Sequence, residues 1–125
     1  MKSSVAIQKG RAMSGIELIM AERDRQIHIE GWLPEHDDRH NECELLDAAF
    51  CYGGMAGSQV MDDDGGEEAQ FALLETWPFA VGQWKPDPDP VRNLVKAGAL
   101  IAAEIDRLLR KKEFDAATES NFDRQ

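Results

Sequence analysis

The amino-acid sequence predicts an all-α fold of three long helices and one short helix, with an aromatic and proline-rich loop packed over the bundle. Apolar residues recur at the 3.6-residue helical period in several segments. No segment alternates polar and apolar residues in the way that predicts a β-strand. With 125 residues, the chain is large enough for one domain with a single core. We expect a flexible N-terminal arm at 1–13, a single helical domain at 14–112 and a disordered polar tail at 113–125.

The first helix is predicted at 15–30. Ser14 and Glu17 have the Ser-x-x-Glu spacing of a capping box, which satisfies free backbone N–H groups at a helix start. Gly31 is a natural stop, because glycine tolerates the left-handed conformation that ends many helices. Five residues share the face that we expect to be buried, namely Ile16, Ile19, Met20, Arg23 and Ile27.

The second helix follows a turn at Trp32-Leu33-Pro34 and is predicted to be continuous from Asp37 or Asp38 to Tyr52. Either aspartate is a good N-cap. The pair Gly53-Gly54 is expected to end the helix, and the glycine and aspartate content of 53–66 predicts a mobile loop. The apolar face of this helix comprises Leu45, Leu46, Ala49 and Phe50.

A short helix is predicted at 67–76, and the last helix begins at Pro90 with Asp89 as its N-cap. The segment between them is irregular because its prolines forbid regular structure. Along the last helix, the predicted core-facing stripe is Val91, Leu94, Val95, Gly98, Ile101, Ile105 and Leu108. Gly98 indicates close approach of another helix.

The charge balance excludes some partners. The chain has 24 acidic residues against 14 Lys and Arg, for a formal net charge of −10. Nonspecific binding to nucleic acid or to anionic lipid is therefore disfavoured, since it requires a surplus of cations. No apolar run approaches the roughly 20 residues of a membrane span, so a cytoplasmic protein without a membrane partner is expected.

The segment after Pro34 contains a candidate metal site. His36 and His40 are spaced to lie on one face of a continuous helix, and Glu44 would follow on that face as a third ligand for a divalent metal such as Zn²⁺ or Mg²⁺. The competing interpretation is structural, because acidic residues at a helix N-terminus complement the helix dipole. We favour the structural interpretation and expect no cofactor.

The same segment resembles a motif of the all-α nucleoside triphosphate pyrophosphohydrolases, in which acidic residues on paired helices hold magnesium. Glu35 and Asp38 form an E-x-x-D pair, and with Glu44 they would be the catalytic acids. The last helix does not supply a matching pair, because Glu104 and Asp106 are two residues apart and point in different directions.

A second candidate site is basic and aromatic. It comprises Trp77, Trp84, Lys85, Arg92 and Lys96. The two tryptophans could stack on a base while the cations grip a phosphate near a helix N-terminus. The alternative is that the cations pair with the acids at 35, 37 and 38 while the tryptophans close the core, and we favour this pairing because charges near a core require partners.

An ordered series of motifs gives the chain a family resemblance. The motifs are ERDRQI (22–27), EGW (30–32), EHDD (35–38), WKP (84–86) and R-x-LVKAGALI-x-AEI-x-R (92–107). In this series the chain resembles a family of small proteins encoded by tailed bacteriophages and prophages. The resemblance implies the cytoplasm of an infected or lysogenic bacterium. Two positions depart from it: relatives often have Gly at the position of Cys43, and a second Trp at that of Phe79.

These observations predict a small acidic phage accessory protein that acts as a non-enzymatic binding module. It would inhibit a host protein, such as a CRISPR or nuclease defence protein, or sequester a small nucleotide signal. The alternative is a metal-dependent nucleotide pyrophosphohydrolase of the all-α type. A homo-oligomer formed through Gly98 and the aliphatic stripe of the last helix is also consistent with the sequence.

Overall fold

The computed structural model describes residues 7–8 and 11–123, and the all-α prediction with three long helices is confirmed. Its α-helices are α1 (Gly15–His28), α2 (Pro34–Asp38), α3 (Glu44–Met61), α4 (Ala69–Leu74) and α5 (Pro90–Asp123), with a 3-10 turn at Val81–Gln83. None of the helices in these ranges is long and apolar enough to cross a membrane.

The N-terminal segment contains two short strands, β1 (Ile7–Gln8) and β2 (Arg11–Ala12), which pair antiparallel. The flexible arm was predicted over 1–13, and residues 1–6 and 9–10 of it lie outside the described residues. Two residues per strand carry no alternating pattern, so the sequence offered no sign of the pairing.

Helix α1 begins as predicted. The Ser14 backbone N–H donates to Glu17 Oε1 at 2.8 Å, and the Glu17 N–H donates to Ser14 Oγ at 3.3 Å, which completes the capping box. Gly31 has φ +77°, the left-handed conformation expected of it. The helix itself ends at His28, two residues before the predicted end.

The prediction of one continuous helix from Asp37 to Tyr52 is wrong, because the chain forms α2 and α3 with a break between them. Helix α2 ends at Asp38, and α3 begins at Glu44. Cys43 precedes α3 with φ 69°, the one positive φ of a non-glycine residue in the described part of the chain. A left-handed residue cannot continue an α-helix, so it fixes the break.

Helix α3 passes through Gly53 and Gly54 and ends at Met61, so the predicted stop and the predicted loop over 53–61 are wrong. A Cβ placed on Gly54 would lie 3.3 Å from Leu73 Cδ2, which shows how closely α4 approaches α3 here. Met55 and Ala56, which follow, are buried. Packing of this face outweighs the low helix propensity of glycine.

Helix α5 continues to Asp123, so the disordered tail predicted from residue 113 is wrong over 113–123. The sequence after Gly98 contains no glycine or proline up to this point, and Lys111 Nζ pairs with Asp115 Oδ2 at 2.8 Å one turn away. Good helix formers and such i,i+4 pairs support a helix without a core contact. The side chains of residues 111–121 are all exposed.

The core lies between α3 and α5, which share the largest interface of the fold. Its buried residues are Leu45, Ala48, Ala49, Tyr52, Ala97, Leu100 and Ala103. Four aromatic side chains are partly buried against this cluster: Trp32, Trp77, Phe79 and Trp84. The small alanines allow the two helices to approach closely.

The stripe predicted to be the core face of α5 lies largely on the outside. Val95 is buried, but Val91, Leu94, Ile101, Ile105 and Leu108 keep 43–54 % of their surface exposed. The same holds for part of the predicted α1 and α3 faces, where Ile16, Met20 and Phe50 are 65–71 % exposed. The buried side chains of α1 are instead Glu22 and Gln26. Most of the large aliphatic residues on the predicted faces of α1 and α5 therefore lie outside the intrachain core.

Candidate ligand-binding site

A cavity of about 310 Å³ lies between α1, α3, α5 and the segment that follows α4. Helix α1 provides Glu22, Arg25 and Gln26 on the side that faces α5. Helix α5 provides Lys96 and Leu100, and the remaining walls are largely aromatic. The cavity therefore combines a charged side with an apolar side, as small-molecule sites commonly do.

The aromatic wall is a chain of contacting rings. Trp77 packs edge-on against Tyr52 and against Phe79, with ring centroids 5.5 and 5.6 Å apart. The series continues from Phe79 to His40 at 5.0 Å and from His40 to His36 at 4.8 Å. Trp32 ends the series and stacks on His36, with ring centroids 5.4 Å apart. Such packing fixes the ring faces that line the cavity.

Glu22 is the buried acid of the charged side. Its side chain is 1 % exposed, and it accepts hydrogen bonds from Arg25 at 2.9 Å and from Arg92. Burial by itself would raise the pKa of Glu22, but the hydrogen bond from Arg25 and the charges of both arginines outweigh it, so the pKa lies below its ordinary value. Glu22 is thus a carboxylate that holds two guanidinium groups in place.

Arg25 joins the two acids of the cavity. Besides Glu22, it binds Glu30, whose Oε2 lies 2.8 Å from its Nη1. The hydrogen bond to Glu22 and the one to Glu30 raise the pKa of Arg25 despite its burial. Both acids that line the cavity are therefore already engaged by arginine.

Lys96 lies at the junction of the charged and aromatic sides. Its Nζ donates to the Lys85 carbonyl at 2.8 Å and sits 5.2 Å from the centroid of the Tyr52 ring. Burial, and then the charge of Arg92, lower the pKa of Lys96. Burial also raises the pKa of Tyr52, whose hydroxyl accepts from the Lys85 N–H at 3.4 Å.

Lys85 contributes to the structure through its backbone, while its side chain is exposed at the cavity rim. Its ammonium group has no hydrogen-bond or ion-pair partner among the residues that the structure describes. With Arg25 and Lys96, it gives the cavity three cations against Glu22 and Glu30. The cavity is therefore locally cationic in a chain of net charge −10.

Gln26 adds an unsatisfied amide. The residue is 2 % exposed, and its Nε2 donates weakly to Glu22 Oε2 at 3.4 Å. Its Oε1 has no hydrogen-bond partner. A buried amide oxygen without a donor costs free energy, so Gln26 lowers the stability of this side of the cavity wall.

The structure gathers the predicted basic and aromatic residues at this cavity. Trp77, Lys85 and Lys96 line it. Trp84 lies behind Trp77, with ring centroids 5.0 Å apart, and its Nε1 donates to the Gln70 carbonyl at 3.0 Å. Arg92, the remaining predicted residue, does not line the cavity but forms an ion pair with Glu22.

The predicted pairing between these cations and the acids after Pro34 is wrong. Asp37 is fully buried and binds Arg23 of α1 at 2.8 Å. Asp38 binds Arg110 of α5, also at 2.8 Å. No ion pair of Glu35 is found in the described part of the chain. Asp37 and Asp38 therefore do pair with arginines, but with Arg23 and Arg110 rather than with the predicted cations.

The residues proposed as metal ligands do not lie on one helix, because α2 ends before His40. His40 Nδ1 is 3.6 Å from Glu44 Oε2, whereas His36 Nδ1 is 3.0 Å from Asp37 Oδ1. Within residues 12–121, whose side chains are described, no group of three or more His, Cys, Asp or Glu is placed to hold a metal ion. The histidines instead belong to the aromatic wall.

The proposed catalytic acids are likewise not brought together. Asp38 is directed to Arg110, and Glu44 accepts a hydrogen bond from the Glu42 N–H at 2.7 Å and lies beside His40. Glu35 is exposed. The E-x-x-D spacing therefore belongs to a short helix whose acids face different neighbours.

The sequence did not point to Tyr52, Phe79 and Trp32 as cavity residues, nor to Glu22 and Arg25. The signal for the last two was present in the ERDRQI motif, where consecutive charged residues on one helix cannot all face solvent. The aromatic residues carry no comparable signal, because aromatic rings line cores more often than cavities.

Comparisons with known proteins find no matching family model, no matching curated protein and no matching solved structure. The function is therefore inferred from the residues that line the cavity.

Proposed function

We propose that this protein is a non-enzymatic binding module that holds a nucleotide in the cavity between α1, α3 and α5. The observation that carries the proposal is the composition of the cavity, which has aromatic walls on one side and a surplus of cations on the other. Its volume of about 310 Å³ lies at the lower end of the range of ligand pockets. A single base with its sugar and phosphate is the matching class of ligand.

The aromatic side supports recognition of a base. Trp77 and Phe79 have their faces fixed by neighbouring rings, and Trp32 stacks on His36 at the other end of the same series. Base stacking on aromatic side chains is worth about 1–3 kcal/mol per base and tolerates different bases.

The cationic side supports recognition of a phosphate. The two acids of the cavity are paired with two arginines, Glu22 with Arg25 and Arg92 and Glu30 with Arg25, so they do not cancel the charges of Lys85 and Lys96. An anion between the two lysines would gain charge-assisted hydrogen bonds. It would also favour the charged form of Lys96, whose pKa is lowered by burial.

Sequestration is the function that we infer from these features. The side chains around the cavity bind and orient, and the predicted catalytic acids Glu35, Asp38 and Glu44 are directed elsewhere. Together with the phage resemblance of the motifs, this supports a module that lowers the free concentration of a nucleotide signal in the host. Inhibition of a host protein is the competing hypothesis.

Titration calorimetry with mononucleotides, cyclic mononucleotides and cyclic dinucleotides tests the proposal, with adenosine as the uncharged comparison. We expect saturable binding of at least one phosphorylated ligand and quenching of tryptophan fluorescence. Failure of every nucleotide to bind would contradict the proposal and favour the protein inhibitor.

The variant Lys85→Ala isolates the phosphate contact, because the structural contacts of Lys85 are made by its backbone. Loss of one charge-assisted hydrogen bond, worth about 1.5–3 kcal/mol, should weaken the phosphorylated ligand about 10- to 100-fold and leave adenosine unchanged. Lys111→Ala, an exposed lysine on the distal part of α5, is the matched control. Equal affinities for the wild type and the Lys85 variant would exclude the proposed phosphate site.

A further inference from the structure

One side of the molecule exposes a continuous set of large apolar residues. We define the outer face of α5 as Val91, Leu94, Ile101, Ile105 and Leu108, each 43–54 % exposed. Helix α1 borders it, because Ile19 packs on Gly98, where an added Cβ would lie 2.6 Å from Ile19 Cδ1. Ile16 and Met20, on the same side of α1, are 71 % and 65 % exposed.

The spacing of the outer face is that of a helix-pairing seam. From Val91 to Leu108, with Gly98 included, the stripe advances by alternating steps of three and four residues. This is the a/d pattern that packs one helix along another. An amphipathic stripe of this kind is expected to be covered. Within the chain, α3 packs on another side of α5 and α1 covers the stripe at Gly98, while the large aliphatic residues of the stripe stay about half exposed.

The exposed area is sufficient for a stable interface. The outer face, with Leu109, Ile16 and Met20, offers apolar surface on the order of 800 Å², which is the area that each chain buries in an interface of standard size. A typical monomer exposes apolar patches of about 300–600 Å² at most. The surface is therefore larger than a folded monomer ordinarily leaves in water.

We propose that the outer face of α5 binds the same face of a second copy of this chain, in a two-fold antiparallel helix pair. The stripe is self-complementary in that arrangement. With the two-fold axis at the middle of the stripe, Leu94 of one copy meets Ile105 of the other, and Val91 meets Leu108. Ile19 of α1 covers Gly98 there and takes its place opposite Ile101 of the second copy. Each pair is apolar, as the a and d positions of an antiparallel seam require.

Charge supports the same orientation. Beyond Leu108, the next position of the stripe is Lys112, whose ammonium has no ion-pair partner among the described residues. In the antiparallel register the two Lys112 side chains lie at opposite ends of the seam, beyond Leu108 of each copy. A parallel pair would instead place Lys112 against Lys112, and Asp115 against Asp115, on the seam, where like charges repel.

The cavity is independent of this interface. Lys96, which lines the cavity, and Ile105 lie on opposite sides of α5, because nine residues correspond to two and a half helical turns. The dimer leaves both cavities open. Loss of nucleotide binding and loss of dimerisation are therefore separate results.

Sedimentation velocity over a range of protein concentrations, under reducing conditions, tests the interface. We expect a dimer whose dissociation constant rises on the order of 100-fold in Ile105→Glu, because dimerisation would bury an unpaired charge. Val60→Glu is the matched control, since Val60 is 67 % exposed on α3 and should leave the dimer intact. A wild-type monomer at all concentrations, or a dimer that Ile105→Glu does not weaken, would overturn the proposal.

Disulfide trapping tests the orientation without a destabilising charge. In a Cys43→Gly background, which removes the exposed native thiol, Leu94→Cys combined with Ile105→Cys should oxidise to a covalent dimer. The two cysteines are too far apart on one helix to react within a chain. Leu94→Cys alone should not form a dimer. Efficient cross-linking of the single variant, or none of the double variant, would contradict the antiparallel register.

Discussion

The two sides of α5 differ in a way that hydrophobicity alone does not reveal. The inner side, against α3, carries Ala97, Leu100 and Ala103, all at most 7 % exposed. The outer side carries larger aliphatic residues, such as Ile101 and Ile105, which are about half exposed. Small residues thus mark the closest contact within the chain, whereas the larger stripe is free for a contact between chains.

The physical reason is distance. Helices separated by alanine can approach to the short end of the usual 8–10 Å interaxial range, which excludes water with little side-chain volume. Large aliphatic residues on the outer side are only about half buried within the chain. A comparison of matched substitutions on the two sides measures how strongly each is buried.

The largest difference is expected between Leu100→Ala and Ile101→Ala. Leu100 is 2 % exposed, so its truncation leaves a cavity and should lower the free energy of unfolding by about 3 kcal/mol. Ile101 is 43 % exposed and should cost about 1 kcal/mol in the monomer. Urea denaturation followed by circular dichroism at low protein concentration provides the measurement. Equal costs would show that the outer side is already covered in the monomer.

A second contrast lies in the neighbouring acids Asp37 and Asp38, which bind arginines on the inside and on the surface. Asp37→Asn leaves Arg23 buried without its charge partner and should cost about 3 kcal/mol. The Asp38 side chain is 49 % exposed, so Asp38→Asn should cost less than about 1 kcal/mol. Thermal unfolding of both variants beside the wild type compares them. A larger loss in Asp38→Asn would reverse the assignment of interior and surface.

A smaller effect is expected from the pH dependence of Glu22. Its pKa in the folded protein is lowered, so the carboxylate stabilises the fold above the unfolded pKa, and this contribution is lost as the pH falls through the folded pKa. The stability difference between the wild type and Glu22→Gln should therefore be largest near neutral pH and shrink below about pH 4.3. Denaturation midpoints at several pH values give the measurement. A difference that is constant with pH would mean that the charge of Glu22 is not what stabilises the fold.

Local signals in the sequence were sufficient for the helix starts. Ser14 and Glu17 form the predicted capping box, and Asp89 Oδ1 accepts from the Val91 N–H at 2.9 Å at the predicted start of α5. These contacts depend on residues at most three apart, so spacing determines them. The gathering of Trp77, Lys85 and Lys96 was one of two interpretations of the sequence, and the other, pairing of the cations with the acids after Pro34, was favoured and is wrong.

The remaining features depend on contacts that spacing does not encode. The passage of α3 through Gly53 and Gly54 depends on its packing against α4 and α5. The pairing of Asp37 with Arg23 depends on how α2 returns to α1. The sequence did not show which side of α5 is buried, because the helix has apolar residues on both sides. The side with the larger aliphatic residues was predicted to be the core, and it is the more exposed one.

The left-handed backbone at Cys43 has a genetic consequence. A non-glycine residue in this conformation costs on the order of 1 kcal/mol relative to glycine, so selection on stability alone favours Gly there. Glycine and cysteine codons differ by a single nucleotide. A single-nucleotide change at position 43 can therefore replace an exposed cysteine by a glycine that adopts this backbone conformation without strain. Because the side chain is exposed, neither exchange alters the core.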